Sequence, residues 1–308
     1  MTDSTGNMHP DQAKPFTADA TRAVLEAACD RAGLDAESAT LLRLGENALY
    51  RLSTVPVVVR IARTMQYWQQ VGNEVAVAGW LADAEFPAVN VVSSLPQPLE
   101  VAGHPVTFWN LVDGRDAELD DVSMLAGLLR KFHRLSRPSS FTLPMANIYD
   151  RVSRRLETAS VPPADKKYLL DKFRELRQEA DKLSYPLAPA PVHGDAHIKN
   201  VMITGGKPLL IDFECVGWGQ PEWDLAVTAT EYVSAGFWTG SQYSVFADAY
   251  GFDVTGWSGF DVLRQLQEIK MTTWLMQNVN ESADIAEEFS DRMRTIRTGR
   301  SERPWKPY

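Results

Sequence analysis

The stretch Pro191-Val-His193-Gly194-Asp195-Ala-His197-Ile-Lys199-Asn200-Val-Met-Ile-Thr-Gly205-Gly206-Lys-Pro-Leu-Leu-Ile211-Asp212-Phe-Glu214 decides how the chain is read. Two apolar runs, 201–203 and 209–211, flank Gly205-Gly206, and strand-like runs on either side of paired glycines predict a β-hairpin. Such a hairpin places Asn200 and Asp212 at adjacent strand ends, with Asp195 on the loop leading in. Moving a phosphoryl group to a hydroxyl needs three things. A carboxylate must orient or deprotonate the hydroxyl, oxygen ligands must hold Mg²⁺ against a triphosphate, and the backbone beneath must be stiff. The stretch supplies these parts, with Asp195 as the base and Asn200 and Asp212 as metal ligands. Taken singly, an Asp-Phe ends many strands and a His-Gly-Asp makes many turns. The spacing of all three is what points to the chemistry.

Working outward, the chain changes character near residue 113. On the N-terminal side, a helix is expected over Ala18–Arg31, with Thr17 as its cap and Gly33 as its stop. Strand-like runs follow at 40–44, 48–52 and 55–62. The last, Val-Pro-Val-Val-Val-Arg-Ile-Ala, is so dense in β-branched residues that it reads as buried on both faces. A helix is predicted over 65–84, then strands over 88–94 and 106–112. From Gly114 onward helical patterns dominate, at 121–135, 147–159, 164–183 and 224–298, interrupted by the β island that holds the opening stretch. The expected division is therefore residues 1–112 and 113–308, a β-rich part followed by a helical one.

Composition narrows the partners. The chain has 308 residues, 44% hydrophobic and 23% charged, with a formal net charge of −9. A protein that grips nucleic acid by its phosphates is usually basic, so nucleic acid is disfavoured. No run approaches the roughly 20 apolar residues that span a bilayer. The N-terminal residues lack the apolar core of a signal peptide, so a cytoplasmic protein with no membrane partner is expected. The two cysteines, Cys29 and Cys215, are far apart and read as reduced thiols rather than as a disulfide or zinc framework.

His193-Gly-Asp-x-His-x-x-Asn200 followed by Ile-Asp212-Phe-Glu resembles the signature of the aminoglycoside phosphotransferase and choline kinase superfamily. Gly217-Trp-Gly-Gln-Pro221-Glu-Trp-Asp224-Leu-Ala226 extends the likeness. The resemblance implies an α+β, protein-kinase-like bilobal fold and transfer of a γ-phosphoryl group from ATP or GTP with Mg²⁺. It also gives meaning to weaker N-terminal features. Gly45-Glu46-Asn47 falls where the family's phosphate-covering loop lies. Arg60 takes the place of the phosphate-binding cation, with Glu74 on the next helix as its partner. The segment Trp109-Asn110-Leu111-Val112 falls at the nucleobase hinge, with the Asn110 carbonyl and the Val112 N–H on the base edge. Asp224 is read as a helix cap or an acceptor for catalytic-loop amides, and His133 as a packed or surface histidine rather than a catalytic one.

Three acceptor classes fit that frame: aminoglycoside-like antibiotics, amino sugars or sugars, and small alcohols of the choline or homoserine type. Glu231, Asp248, Glu268 and Asp284, with Trp218, Trp223, Trp238, Trp257, Trp274 and Trp305, all follow the metal-binding strand. Together they favour a cationic, polyhydroxylated acceptor, since carboxylates pair with ammonium groups and indoles stack on sugars or cations. A protein kinase is disfavoured, because no Ala-Pro-Glu or long activation segment follows Asp212. The reading from a different class is a non-catalytic nucleotide-binding scaffold. Its signature would be loss of Asp195, Asn200 or Asp212, and all three are present. The oligomeric state is not legible.

Overall fold

The computed structural model describes residues 16–147, 149–280 and 282–307. Their chain groups into two units. One takes in the chain up to Val75 together with Asn90–Val112, and the other Ala76–Val89 and the chain from Asp113 onward.

The first unit is a helix on an antiparallel sheet. Helix α1 (Ala18–Ala32) starts where Thr17 Oγ1 accepts from the Ala20 N–H and stops at Gly33, whose φ of 68° suits glycine. Its buried residues Thr21, Val24, Leu25, Ala28 and Cys29 recur at helical spacing and form one face. That face packs on a five-stranded sheet in the order β1 (Thr40–Leu44), β2 (Asn47–Arg51), β3 (Val57–Ala62), β5 (His104–Asn110), β4 (Leu99–Val101). Strand β3 is central, but it is not buried on both faces as expected. Val57, Val59 and Ile61 enter the core, while Val58 and Arg60 face the other way and are half-buried. The alternation follows from the two-residue period of a strand.

A second correction concerns residues 88–94, which form no strand. The edge of β5 is divided: β4 takes its beginning through Val101↔His104 and Leu99↔Val106, and only Val91 bridges to its end at Trp109. Strand β4 went unread because it is three residues long and turns at once through Ala102 and Gly103, both with positive φ.

Helix α2 (Trp68–Asp83) begins in the first unit, after a short 3₁₀ turn at Met65–Tyr67, and ends in the second. The expected assignment of all of 1–112 to the N-terminal part therefore differs from the grouping over 76–89. The cause is packing: the Trp80 and Phe86 rings lie 6.2 and 5.5 Å from that of Phe132. Residues 87–89 also bond to the backbone of Leu210.

The second unit is mostly helical: α3 (Val122–Phe132), α4 (Tyr149–Thr158), α5 (Pro163–Ala180), α6 (Glu222–Thr230), α7 (Gly240–Tyr250), α8 (Phe260–Leu275) and α9 (Ala283–Thr298). Helix α8 is central and packs against α4, α5, α6 and α9. Two small sheets lie among them. One joins β6 (Arg115–Asp116), β8 (Val201–Thr204) and β9 (Lys207–Leu210). The other pairs β7 (Ala190–Val192) with β10 (Gly217–Gly219).

Candidate active site

Strand β7 delivers the chain to His193, and Asp224 near the start of α6 then fixes it. The Asp224 carboxylate accepts from the His193 N–H at 2.6 Å and the Gly194 N–H at 2.8 Å, and His133 Nε2 lies 3.0 Å from it. Asp224 is wholly buried. Burial pushes its pKa up, but His133 and these donors outweigh that and hold it below the usual carboxylate range. Gly194 has φ +78°, and a Cβ there would come within 2.6 Å of the Cys215 carbonyl oxygen, so only glycine fits.

The loop from Asp195 to Asn200 is wound on its own hydrogen bonds. His197 N donates to Asp195 O at 2.9 Å and Asn200 N to His197 O at 3.0 Å. Asn200 Nδ2 donates to Asp195 O at 2.8 Å, which leaves the amide oxygen to act as a ligand. The β8–β9 hairpin pairs Val201 with Leu210, and one further bond, Ile211 N to Asn200 O at 3.0 Å, carries the pairing to Asn200. His193 Nε2 donates to Ile211 O at 2.9 Å and ties the loop to the hairpin. Asp212 comes next. Its φ of +65° is uncommon outside glycine but tolerated by aspartate, and the residue is exposed. The fold thus brings Asp195, Asn200 and Asp212 together as the spacing requires.

Four more charged groups surround Asp195. Lys270 on α8 reaches Oδ1 at 2.9 Å, and His197 Nε2 lies 3.6 Å from Oδ2. Arg151 on α4 is held at 2.7 Å by Glu214. Glu231 opens a single turn of π-helix, Glu231–Ala235, that continues α6, and its Oε2 accepts from Trp238 Nε1 at 3.1 Å. Burial pushes Asp195 up, but the Lys270 charge and His197 bring it well below the usual carboxylate range. His197 moves the other way: burial pushes it down and Asp195 more than restores it, so the net shift is upward. Glu231 is pushed up to about 7 by burial, against the pull of His197 and Trp238.

In the first unit, Arg60 on β3 pairs with the buried carboxylate of Glu74 on α2. With the Asn47 amide turned so that its oxygen faces the guanidinium, Oδ1 accepts from Arg60 Nε at 3.2 Å and Nη2 at 2.9 Å. Gly45 sits in the turn before Asn47, its N–H donating to Asn47 O at 3.0 Å and its carbonyl accepting from Arg63 at 2.8 Å. Trp109 lies on β5 with Nε1 bonded to Thr107 Oγ1 at 2.9 Å. Asn110 N donates to Asn90 O and Leu111 N to Pro56 O. The next amide, that of Val112, donates to no backbone carbonyl among the described residues.

Of the acidic and aromatic residues downstream, the structure gathers few near Asp195. Glu268 is buried and bonded to Arg264 and Ser234, and Trp238 and Trp305 are core residues. Asp248 and Asp284 are exposed. Trp218 lies under Arg137, Trp223 packs edge-on against Tyr149, and Trp257 packs against Tyr185. Glu231 is the carboxylate that feels the charges of Asp195, His197 and Lys270. Lys270 and Arg151 were not found from the sequence. The one signal was Lys270's place as a charge in an apolar helical run, Ile269-Lys-Met-Thr-Thr-Trp-Leu275.

The fold is of the kinase-like class, with a β-sheet N-terminal part and a helical C-terminal part. The structure resembles an amicoumacin kinase, hAmiN, solved with AMP-PNP, Ca²⁺ and Ami (TM-score 0.72, 17% identity, covering 94% of this chain and 97% of that one). It also resembles a microcompartment-associated aminopropanol kinase (0.70, 17%, 89% and 94%) and the choline kinase LicA from Streptococcus pneumoniae (0.66, 15%, 91% and 98%). No curated protein is significantly similar in sequence. Residues 38–266 match the model of the phosphotransferase enzyme family, and the chain belongs to that family. It is a nucleoside-triphosphate-dependent phosphotransferase that acts on the hydroxyl of a small molecule.

Proposed function

We propose that the chain transfers the γ-phosphoryl group of ATP or GTP to a hydroxyl of a cationic, polyhydroxylated acceptor, an aminoglycoside-like antibiotic or an amino sugar. In the second unit Asp195 receives the acceptor hydroxyl. Asn200 and Asp212 would hold Mg²⁺, which when bound draws off charge from the transferred group. An amide oxygen and an exposed carboxylate on adjoining backbone suit a hard cation that takes its remaining ligands from a triphosphate. In the first unit Arg60 clamps phosphate oxygens, its guanidinium aimed by Glu74 and Asn47. Gly45 leaves the turn backbone open to phosphate. The Asn110 carbonyl and Val112 N–H meet the base edge, with Trp109 behind it.

The observation that carries the acceptor class is Glu231, a half-buried carboxylate within electrostatic reach of Asp195 and bonded through only one oxygen to Trp238. The names of the aminopropanol and choline kinases support an acceptor that carries an amine or ammonium beside a hydroxyl. A neutral sugar or small alcohol is the second reading. No helix among the described residues is long and apolar enough to cross a membrane.

The test is an acceptor panel coupled to nucleoside diphosphate release, with each amine of an active acceptor acetylated in turn. Acetylation is expected to raise the acceptor KM by roughly tenfold or more, the worth of one charge-assisted hydrogen bond. Equal turnover of neutral sugars or N-acetylated analogues would exclude the cationic class and leave the phosphotransferase in place.

A further inference from the structure

We infer that Lys270 is a positioning residue for the transfer: it holds Asp195 by Oδ1, so that Oδ2 is the atom that takes the acceptor hydroxyl. This rests on Asp195 being the base and is independent of the acceptor's charge. Lys270 Nζ donates to Asp195 Oδ1 at 2.9 Å and to the Gly194 carbonyl at 2.8 Å. One ammonium thus links the carboxylate to the backbone of the preceding residue, whose own N–H is fixed by Asp224. With Oδ1 pinned, the carboxylate cannot turn about its Cβ–Cγ bond without breaking an ion pair. Its other oxygen has His197 Nε2 for a neighbour at 3.6 Å, longer than a hydrogen bond, so Oδ2 is the less tightly held of the two oxygens.

The exposures agree. The Lys270 side chain is 14% exposed and that of Asp195 28%, so the ammonium sits on the inner side and the carboxylate keeps an open one. Leu266 and Ile269 beside it on α8 are buried and apolar. Burying an ammonium is unfavourable unless it is paired, and Lys270 is paired with Asp195. In the step itself the acceptor oxygen bonds to the γ-phosphorus as the bond from that phosphorus to the diphosphate oxygen breaks. The hydroxyl proton passes to Oδ2, and Lys270 keeps its own proton throughout.

Four proteins test this: wild type, Asp195→Asn, Lys270→Met and the double variant, assayed with Mg·ATP and whichever panel acceptor turns over. Lys270→Met is expected to lower kcat roughly 10- to 100-fold, the cost of a misplaced catalytic group. Acceptor and Mg·ATP KM values should stay within about threefold, and the double variant should be no slower than Asp195→Asn alone. If thermal unfolding shows that Lys270→Met is not folded, Lys270→Ala, which removes the donor and adds no bulk, is read instead with the same expectation. A folded variant with near wild-type kcat, or a double variant slowed by the product of the single effects, overturns the inference. An Asp195→Asn variant with undiminished kcat overturns the base assignment as well and so separates the two failures.

Discussion

Asp212 stands at the end of a hairpin, exposed and in a left-handed backbone conformation, beside an asparagine whose amide nitrogen is already bonded. If it is a metal ligand, Asp212→Ala should weaken Mg·nucleotide binding far more than binding of the free nucleotide. Calorimetric titration of both forms checks this, and equal weakening would mean that Asp212 is no ligand. Glu231 gives a second expectation. Burial raises its pKa to about 7, so it is neutral below that pH and charged above it. For an ammonium acceptor, KM should therefore fall as pH rises from 6 to 8. The expected change is about fivefold, the factor that separates a charged from a neutral hydrogen bond. Glu231→Gln should flatten that dependence, and an acceptor KM that stays pH-dependent in the variant points to another group. That Asp195, Asn200 and Asp212 lie together was legible because it depends on spacing along one short stretch. Lys270 was not, because 75 residues of chain separate it from Asp195 and only packing of α8 brings it back.

At the scale of elements, the loop from His193 to Asn200 owes its shape to one buried carboxylate. Asp224 satisfies two successive backbone N–H groups and binds His133, which Tyr250 holds from its other side at 2.8 Å. Removing it leaves those buried donors without an acceptor. Asp224→Ala should cost about 3–5 kcal/mol, read from urea unfolding, because a buried, bonded charge is lost from one side only. The folded-state pKa of Asp224 is depressed, so its contribution is present above the ordinary carboxylate pKa and is lost as pH falls through the folded value. A loss below about 1 kcal/mol, typical of a surface site, would mean that the loop is held by other bonds. The sequence reading offered cap or amide acceptor for Asp224, and the structure takes the second. The helices and the hairpin were readable from period and turn residues. Residues 88–94 misled because β-branched composition measures fitness for a sheet, whereas the edge of β5 had room there for only a single bridge.

For the whole molecule, the change from β-rich to helical chain near residue 113 was visible in composition, but the return of residues 76–89 to the second unit was not. Nothing local in α2 announces that Trp80 will meet Phe132 rather than the sheet that the same helix starts beside. Most of the downstream tryptophans also proved to be packing residues, and Asp248 and Asp284 are simply exposed, since abundance in a segment says nothing about which side chains face a ligand. The family and the loop–hairpin geometry leave one claim on which the rest depends, that Asp195 is the group that receives the acceptor hydroxyl. Its most direct test is single-acceptor turnover of Asp195→Asn set beside its affinity for Mg·ATP. The expected result is a fall in kcat of roughly two to four orders of magnitude, the range for a positioned acid–base group, with the Mg·ATP Kd unchanged. A folded Asp195→Asn that turns over at close to the wild-type rate would contradict it.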